Sequence, residues 1–433
     1  MANIPRIFLQ RRLRRLATAT LARYGPEIIG VTGSVGKTST VRAIGLVLSA
    51  ASRVQSSDKS YNNEIGVPLS VLGEETAGRS VLGWLGIYLR AYVRLLYRQR
   101  TYPEILVLEM AADKPGDIEY LNSFLRPRIG VVTGVSATHV ENFGSTEAVA
   151  KEKSNLVAAL PERGIAVLNA DDPLVVAMRQ RTAARVVTYG FGPKADVVGT
   201  QITYACHMGE RQESLCLGMR CIVRYRGVEA SLELPHVLGE HMLYPALAAI
   251  AVGVARGMPL TAAVTLLRQY IPPPGRMRLL RGIKCTMIID DSYNSSPLAA
   301  QAAVRVLSRV PSYEGRKYAV LGDMLELGKI AGRAHRELGG QVARSKVDIL
   351  VCVGELARDI ARGAKTGGMS EDKVFTFPDA RAAGQFLQER LRTGDVLLVK
   401  GSQAVRLERI VKELMAEPLR AKELLARQSP DWM

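Results

Sequence analysis

The stretch Ile28-Ile29-Gly30-Val31-Thr32-Gly33-Ser34-Val35-Gly36-Lys37-Thr38-Ser39-Thr40 decides how the chain is read. Its apolar start reads as a buried strand. The strand enters a glycine-rich turn that ends in Gly-Lys-Thr, and a helix-compatible run from Val41 to Ala50 follows. Strand, turn and helix in that order suit a phosphate-binding loop. Backbone N–H groups of the turn and of the helix N-terminus point at an anion, and the helix dipole favours negative charge there. In that setting Lys37 reaches the β- and γ-phosphates of a nucleotide and the Thr38 hydroxyl reaches Mg²⁺. The general pattern Gly-x-x-x-x-Gly-Lys-Thr asks for glycine where Val31 stands; the chain has the shorter Gly-x-x-Gly-Lys-Thr. An ordinary glycine turn is the competing explanation, and the ordered strand, Lys-Thr and helix weigh against it.

Outward from this loop, two more apolar runs end in polar residues. Tyr102 to Met110 reads as a strand carrying Glu109 at its end, and Ile129 to Val135 as another, followed by Ser136-Ala137-Thr138-His139. Ligands of open α/β sheets bind beyond the C-terminal ends of strands. Glu109 and His139 are therefore candidates for a Mg²⁺ site, directly or through water. Asn62 and Asn63, before Gly66 and Pro68, mark a loop whose amides can orient a polar ligand or merely make the turn. Lys151 and Lys153 fall on a helix after Phe143-Gly144-Ser145, where a lysine is ordinarily a solvated charge. Gly164 to Leu168 reads as a strand, residues 196–236 as antiparallel hairpins, and Gly239 to Val254 as an alanine-rich helix.

Ile271-Pro272-Pro273-Pro274-Gly275-Arg276 is the clearest linker, because three prolines neither continue a helix nor join a central strand. Beyond it, strands Cys285–Asp290, Lys317–Leu321, Ile349–Val353 and Val396–Val399 alternate with helices Ala299–Arg309, Ala334–Ala343, Ala380–Leu391 and Val405–Met415. That alternation predicts a second doubly wound domain with a mainly parallel sheet. Three segments are expected: a basic amphipathic helix over 1–24, an ATP-binding domain over 25–271 and a C-terminal domain over 272–433.

A chain of 433 residues exceeds one ordinary core. Its five cysteines are odd in number and form no Cys-x-x-Cys, which speaks against a disulfide framework or a zinc site and for a reducing cytoplasm. No signal peptide is visible. The formal net charge is +17, and the first hundred residues hold 15 Lys/Arg against 5 Asp/Glu, a skew that points to an anionic partner. In residues 2–24, Leu9, Leu13 and Leu16 share a helical face while Arg11, Arg12, Arg14 and Arg15 crowd the rest. Such a helix either lies on an anionic bilayer or docks on its own domain. Residues 81–97 are apolar and aromatic with arginines every fourth residue, too short to span a bilayer. They read as an interfacial helix or a helix packed on the domain.

Taken together these residues resemble the Mur ligase family, ATP-dependent amide-forming ligases of peptidoglycan precursor synthesis. The branch most resembled adds D-alanyl-D-alanine to UDP-N-acetylmuramoyl-tripeptide. The likeness covers roughly residues 25–415. It rests on Gly33–Thr40, Asn62-Asn63-Glu64-Ile65-Gly66-Val67-Pro68-Leu69, Thr138–Ser145, Asp290–Pro297, Leu321–Gly328 and Lys400-Gly401-Ser402. Six ordered motifs are far harder to meet by accident than one. The resemblance implies a P-loop ATPase-like central domain and a Rossmann-like ligase domain. It assigns Gly33, Ser34, Val35, Gly36, Lys37, Thr38 and Ser39 to ATP, and Thr38, Glu109, His139 and Lys153 to a site of two Mg²⁺ ions. Lys153 matches the family lysine that carries a carbamate, with Lys151 as competitor. Arg276 reaches the ATP phosphates from the C-terminal domain, Asp290 or Asp291 with Tyr293 and Asn294 lines the nucleotide, and Asn62, Asn63, Asp323, Lys400 and Ser402 fall to the substrates.

Two departures stand out. The branch's Gly-x-His-Asn and its later Asn are replaced by Met242 and Pro245. Only a short basic segment precedes the first strand, where the family has a UDP-binding domain. Rival readings are a related ligase with another acceptor, a basic P-loop ATPase on nucleic acid, and an idle membrane scaffold. The residues present favour a cytoplasmic, monomeric ligase that binds no nucleic acid, with peripheral contact to the anionic inner face of the membrane open to it.

Overall fold

The computed structural model describes residues 6–57, 62–78, 80–136, 140–208, 214–311 and 315–428. It divides into two compact units. The first is Met1–Ile202 with Cys221–Glu233 and Leu243–Tyr270; the second is Thr203–Arg220, Leu234–Met242 and Ile271–Met433.

The sheet of the phosphate loop is built on β1 (Glu27–Thr32), β2 (Val54–Ser56), β3 (Ile105–Glu109), β4 (Ile129–Val132), β5 (Ile165–Asn169) and β6 (Arg185–Gly190), continued by β7 (Val197–Met208), β8 (Ser214–Tyr225) and β9 (Val228–Leu234). The order is β2-β3-β1-β4-β5-β6-β7-β8-β9, parallel from β2 through β7. β8 and β9 close as a hairpin on Arg226 and Gly227, both at positive φ, the two-residue turn whose twist suits paired strands. β1, β3, β4 and β5 are almost wholly buried, which is why they read as continuous apolar runs. β1 lies between β3 and β4 with Val31 level with Glu109 and Thr32 level with Val132. The chain leaves β1 toward one side and reaches β4 on the other, so this is the switch point where an open parallel sheet leaves a crevice for a ligand.

Helix α1 (Arg6–Tyr24) packs on α3 (Gly66–Leu72) and α4 (Val81–Leu96); α2 (Lys37–Leu48) follows the phosphate loop. Leu9, Leu13 and Leu16 are buried against Leu69, Leu72, Trp84, Ile87 and Ala91. The leucine face of the basic helix is therefore spent on its own unit, at about 1.5–3 kcal/mol per buried leucine, and is not free to lie on lipid. Helices α5 (Asp117–Leu125), α6 (Val140–Phe143) and α7 (Thr146–Ala158) lead to β5.

The second unit has β10 (Arg278–Arg281), β11 (Met287–Asp291), β12 (Lys317–Gly322), β13 (Ile349–Val353), β14 (Val374–Phe377) and β15 (Val396–Lys400) in the order β10-β11-β15-β12-β13-β14. All pairs are parallel except β10 with β11. The antiparallel edge β10, the strand β14 and the helix Ala357–Thr366 add to the elements expected from the sequence; the two strands have only four residues each, and the helix builds its apolar face from alanines and the single large residue Ile360. The helix expected from Gly239 begins at Leu243, after a 3₁₀ turn over Glu240–Met242, so Met242 precedes it and Pro245 stands in its first turn, where its missing N–H is harmless. Cys221, Cys285 and Cys352 are free thiols. Among the described residues no helix is long and apolar enough to cross a membrane.

Candidate active site

The loop between β1 and α2 is shaped by two glycines and one threonine. Gly33 has φ +148, and a Cβ there would stand 1.9 Å from Thr133 Oγ1, so no side chain fits. Gly36, the residue before α2, has φ 80 and open space where a side chain would be. Thr133, just past β4, donates its hydroxyl to Val35 O at 2.6 Å, and Ser34 N donates to Gly134 O at 2.7 Å. The loop is thus clamped from the neighbouring strand end with the N-terminus of α2 behind it. The Lys37 ammonium folds back to Gly33 O at 3.0 Å. An open backbone cradle at a twelve-residue helix, capped by a lysine, fits the phosphates of ATP.

Register places Glu109 beside this loop. Its carboxylate is 2 % exposed; one oxygen accepts the Thr38 hydroxyl at 2.7 Å and the other the Asn62 amide at 3.1 Å. A hydroxyl and a carboxylate side by side under the phosphate cradle form a hard-oxygen donor pair that suits Mg²⁺, an ion that keeps most of its other positions for water and phosphate. No group of three His, Cys, Asp or Glu that could hold a metal occurs among the described residues. His139 lies outside the described residues. Asn63 is exposed, and its side-chain oxygen accepts Ile65 N at 3.2 Å and Gly66 N at 2.9 Å, tying down the start of α3.

Lys153 and Lys151 are separated plainly by α7. Lys151 is exposed, whereas Lys153 is 3 % exposed. Burial, then the nearby Lys37 ammonium, push the Lys153 amine down to about 8, against a weaker pull from Glu152 and Asp113. At pH 7 an amine so placed is neutral about a tenth of the time, compared with about one part in three thousand at an ordinary lysine. A neutral amine is the form that adds CO₂.

In the second unit the stretch after the prolines is tied to the end of β11. Asp290 is fully buried and accepts Gly275 N at 3.1 Å, Ser292 N at 3.2 Å and the Ser292 hydroxyl at 2.6 Å. Burial pushes its carboxyl up to about 6 despite those hydrogen bonds. Asp291 accepts Met277 N at 3.2 Å and pairs with Lys400 at 2.6 Å, and Lys400 also donates to Asn294 O at 2.9 Å. The Arg276 guanidinium lies over the Tyr293 ring, 4.3 Å from its centroid. Asp323 accepts Ala357 N at 2.7 Å, and Ser402 Oγ accepts Leu325 N at 2.9 Å. Asp290, Asp323 and Ser402 thus hold loops in shape, while Arg276, Tyr293 and Asn294 stand nearer solvent.

Several supporting residues had no motif to announce them. Asn169 donates to Thr133 O at 2.9 Å and Asp172 accepts Val135 N at 2.7 Å, bracing the clamp on the phosphate loop. Ser57 Oγ accepts Glu109 N at 3.2 Å. Arg427, beyond every recognised motif, donates to Ser292 O at 2.7 Å and Tyr293 O at 2.8 Å and pairs at 2.9 Å with Glu408, which is wholly buried. Only their polar character at strand ends and near the C-terminus was available as a signal.

A parallel α/β sheet with a phosphate cradle at its switch point, and a buried carboxylate on the cradle's threonine, defines a P-loop nucleotide-using enzyme. Comparison narrows the class. Residues 91–253 match the Mur ligase middle domain and residues 275–403 the Mur ligase glutamate ligase domain. The chain is 32% identical over 409 residues to the UDP-N-acetylmuramoyl-tripeptide–D-alanyl-D-alanine ligase of Bacillus subtilis, covering 94% of this chain and 80% of that one. The enzyme of that name from Mycobacterium tuberculosis is 34% identical over 435 residues, covering 94% and 76%. The crystal structure of MurF ligase from Thermotoga maritima in complex with ADP superposes with a TM-score of 0.73 at 27% identity, over 95% of this chain and 84% of that one. The chain belongs to the Mur ligase family, and it is an ATP-dependent ligase.

Proposed function

We propose that this ligase joins D-alanyl-D-alanine to the terminal carboxylate of a UDP-N-acetylmuramoyl-tripeptide, in the cytoplasm, during peptidoglycan precursor synthesis. The names of its relatives support those substrates, and the Thr38–Glu109 pair beside Lys37 is the observation that carries the chemistry.

A carboxylate is a poor acylating agent at neutral pH. It attacks the γ-phosphorus of ATP, the bond to the β-phosphate oxygen breaks, and an acyl phosphate and ADP result. The amine of the dipeptide then attacks the acyl carbon, phosphate leaves, and the amine gives up its proton to solvent. The protein's contribution is positioning and charge. Lys37 and the N–H groups of Ser34 to Thr38 hold the β- and γ-phosphates, and Arg276 supplies a further cation to them. Thr38 and Glu109, joined by His139, would hold Mg²⁺, which when bound neutralises the phosphate oxygens. Lys153 as its carbamate adds an anionic oxygen donor to that site, which turns a buried cation beside Lys37 into a partner for it. Asn62 keeps Glu109 oriented, and Tyr293 with Asn294 flanks the nucleotide.

The test is a ligation assay with product mass analysis. Purified protein receives ATP, Mg²⁺, D-alanyl-D-alanine and UDP-N-acetylmuramoyl-tripeptide. A pentapeptide product matched by phosphate release is expected. Phosphate release without that product would retain the ligase and reject these substrates.

A further inference from the structure

Helix α4 is apolar on two faces. Trp84, Ile87 and Ala91 are buried toward α1 and α3. On the other side Leu82, Leu85, Leu89, Tyr92, Val93 and Leu96 recur at helical spacing and are 81%, 63%, 64%, 51%, 41% and 72% exposed. A helix on a globular surface carries one apolar stripe toward the core and polar residues opposite. A second, contiguous and uncovered stripe marks an interaction surface.

The charges around the stripe say what covers it. Thr76 to Pro103 contains five arginines and neither Asp nor Glu, and the first acidic residue of the chain, Glu27, comes after six arginines. Arg98 and Arg100 are exposed just past the end of the stripe. Arg12 of α1 sits close enough to Tyr88 to oppose the rise that burial gives the Tyr88 phenol. Ile7 and Phe8, at the start of α1, are 64% and 51% exposed. Glu74 pairs with Arg90 and Arg94, but Arg98 and Arg100 have no acidic neighbour in the Thr76–Pro103 stretch, so a second copy of the chain on this face would still bring an arginine-rich surface against itself, where like charges repel. A nucleic acid would satisfy the arginines and leave the leucines facing phosphate. A bilayer with anionic headgroups satisfies both.

We propose that the exposed stripe of α4 is a docking surface for an anionic lipid bilayer. The sixteen residues of α4 span about 24 Å, short of the roughly 30 Å hydrocarbon core, so the helix lies in the plane of the interface. Its leucines enter the acyl boundary, Tyr92 and Tyr97 sit at headgroup depth, and the flanking arginines meet lipid phosphates. The buried leucines of α1 brace α4 from behind and do not themselves enter lipid.

Co-sedimentation of the full chain with vesicles tests this. Phosphatidylcholine vesicles containing phosphatidylglycerol are expected to bind it at least about tenfold tighter than phosphatidylcholine alone, and added salt to weaken that binding. Leu85→Glu with Leu89→Glu is expected to abolish binding while far-UV circular dichroism and the ATP-dependent ligation rate in solution stay unchanged. Arg98→Glu with Arg100→Glu should remove much of the preference for anionic vesicles. No vesicle binding by the parent protein, or binding that the leucine variant keeps, would overturn the proposal. So would a dimer, seen by light scattering, that the leucine variant dissolves, since a second copy would then be the occupant.

Discussion

Lys153 is the residue at which sequence and structure differ most in what they can say. On paper it is one of two lysines on a polar helix; in the fold it is the buried one, held down to about 8 by desolvation and by Lys37. The sequence separates it from Lys151 only through the family match and its helical spacing from Val149, Leu156 and Val157; how deeply it is buried depends on how α7 lands on the sheet. If the neutral amine takes up CO₂, ¹³C-bicarbonate should give a carbamate resonance that Lys153→Ala and Lys153→Arg lack, and both variants should lose ligation. Because protonation competes with CO₂, the resonance and the rate should fall together as pH drops below about 8 and recover with added bicarbonate. Full activity in Lys153→Ala, indifferent to bicarbonate, would end the carbamate assignment. Lys37→Ala removes the cation over the phosphate cradle, and a loss of about 10²–10³ in kcat is expected, the scale of one transition-state donor. That loss is checked against ATP binding by calorimetry, to separate chemistry from affinity.

At the scale of elements, what was legible was whatever periodicity and turn chemistry write locally. The strand–loop–helix around Lys37 reads directly, since buried parallel strands are unbroken apolar runs and the glycines sit where the backbone must turn. Glu109 was legible as a strand-end residue, but its bond to Thr38 follows from the β1–β3 register, which depends on the whole sheet. The leucine face of α1 read correctly as a face and left its covering open, since lipid and protein ask for the same stripe. Edge strand β10 and the Arg427–Glu408 pair were invisible, being set by contacts distant in sequence. Glu408 is wholly buried between Arg406 and Arg427. Glu408→Ala removes the carboxylate that pairs with the buried Arg427, and a loss of about 3–5 kcal/mol in urea unfolding is expected, with the Ser292–Tyr293 segment losing its protection from amide exchange. Asp290 makes a second, signed prediction. Its folded value near 6 lies above the unfolded carboxylate, so its share of stability is full below about pH 4 and is lost as pH rises through 6. The difference in melting temperature between the parent and Asp290→Asn should therefore change between pH 4 and 7 and level off above.

For the whole molecule, the two compact units turn ligand binding into a question of which part each contact stabilises. A ligand bound only to the native state adds RT ln(1 + [L]/Kd), about 2.7 kcal/mol at a hundredfold excess over Kd. For a unit of this size each kcal/mol is worth about 2–4 °C. The phosphate cradle belongs wholly to the first unit, and Arg276 to the second. Saturating ATP with Mg²⁺ should raise the melting transition of the first unit by roughly 5–11 °C, by the same arithmetic, and Lys37→Ala should reduce that rise to the extent that calorimetry shows weaker ATP binding. Arg276→Ala separates two cases. If Arg276 binds the same phosphates, ATP raises the transition of the second unit as well, and the variant loses that rise while keeping most of the first. If ATP leaves the second unit's transition where it was, and Arg276→Ala changes neither, then Arg276 is no nucleotide ligand and its stacking on Tyr293 is structural alone.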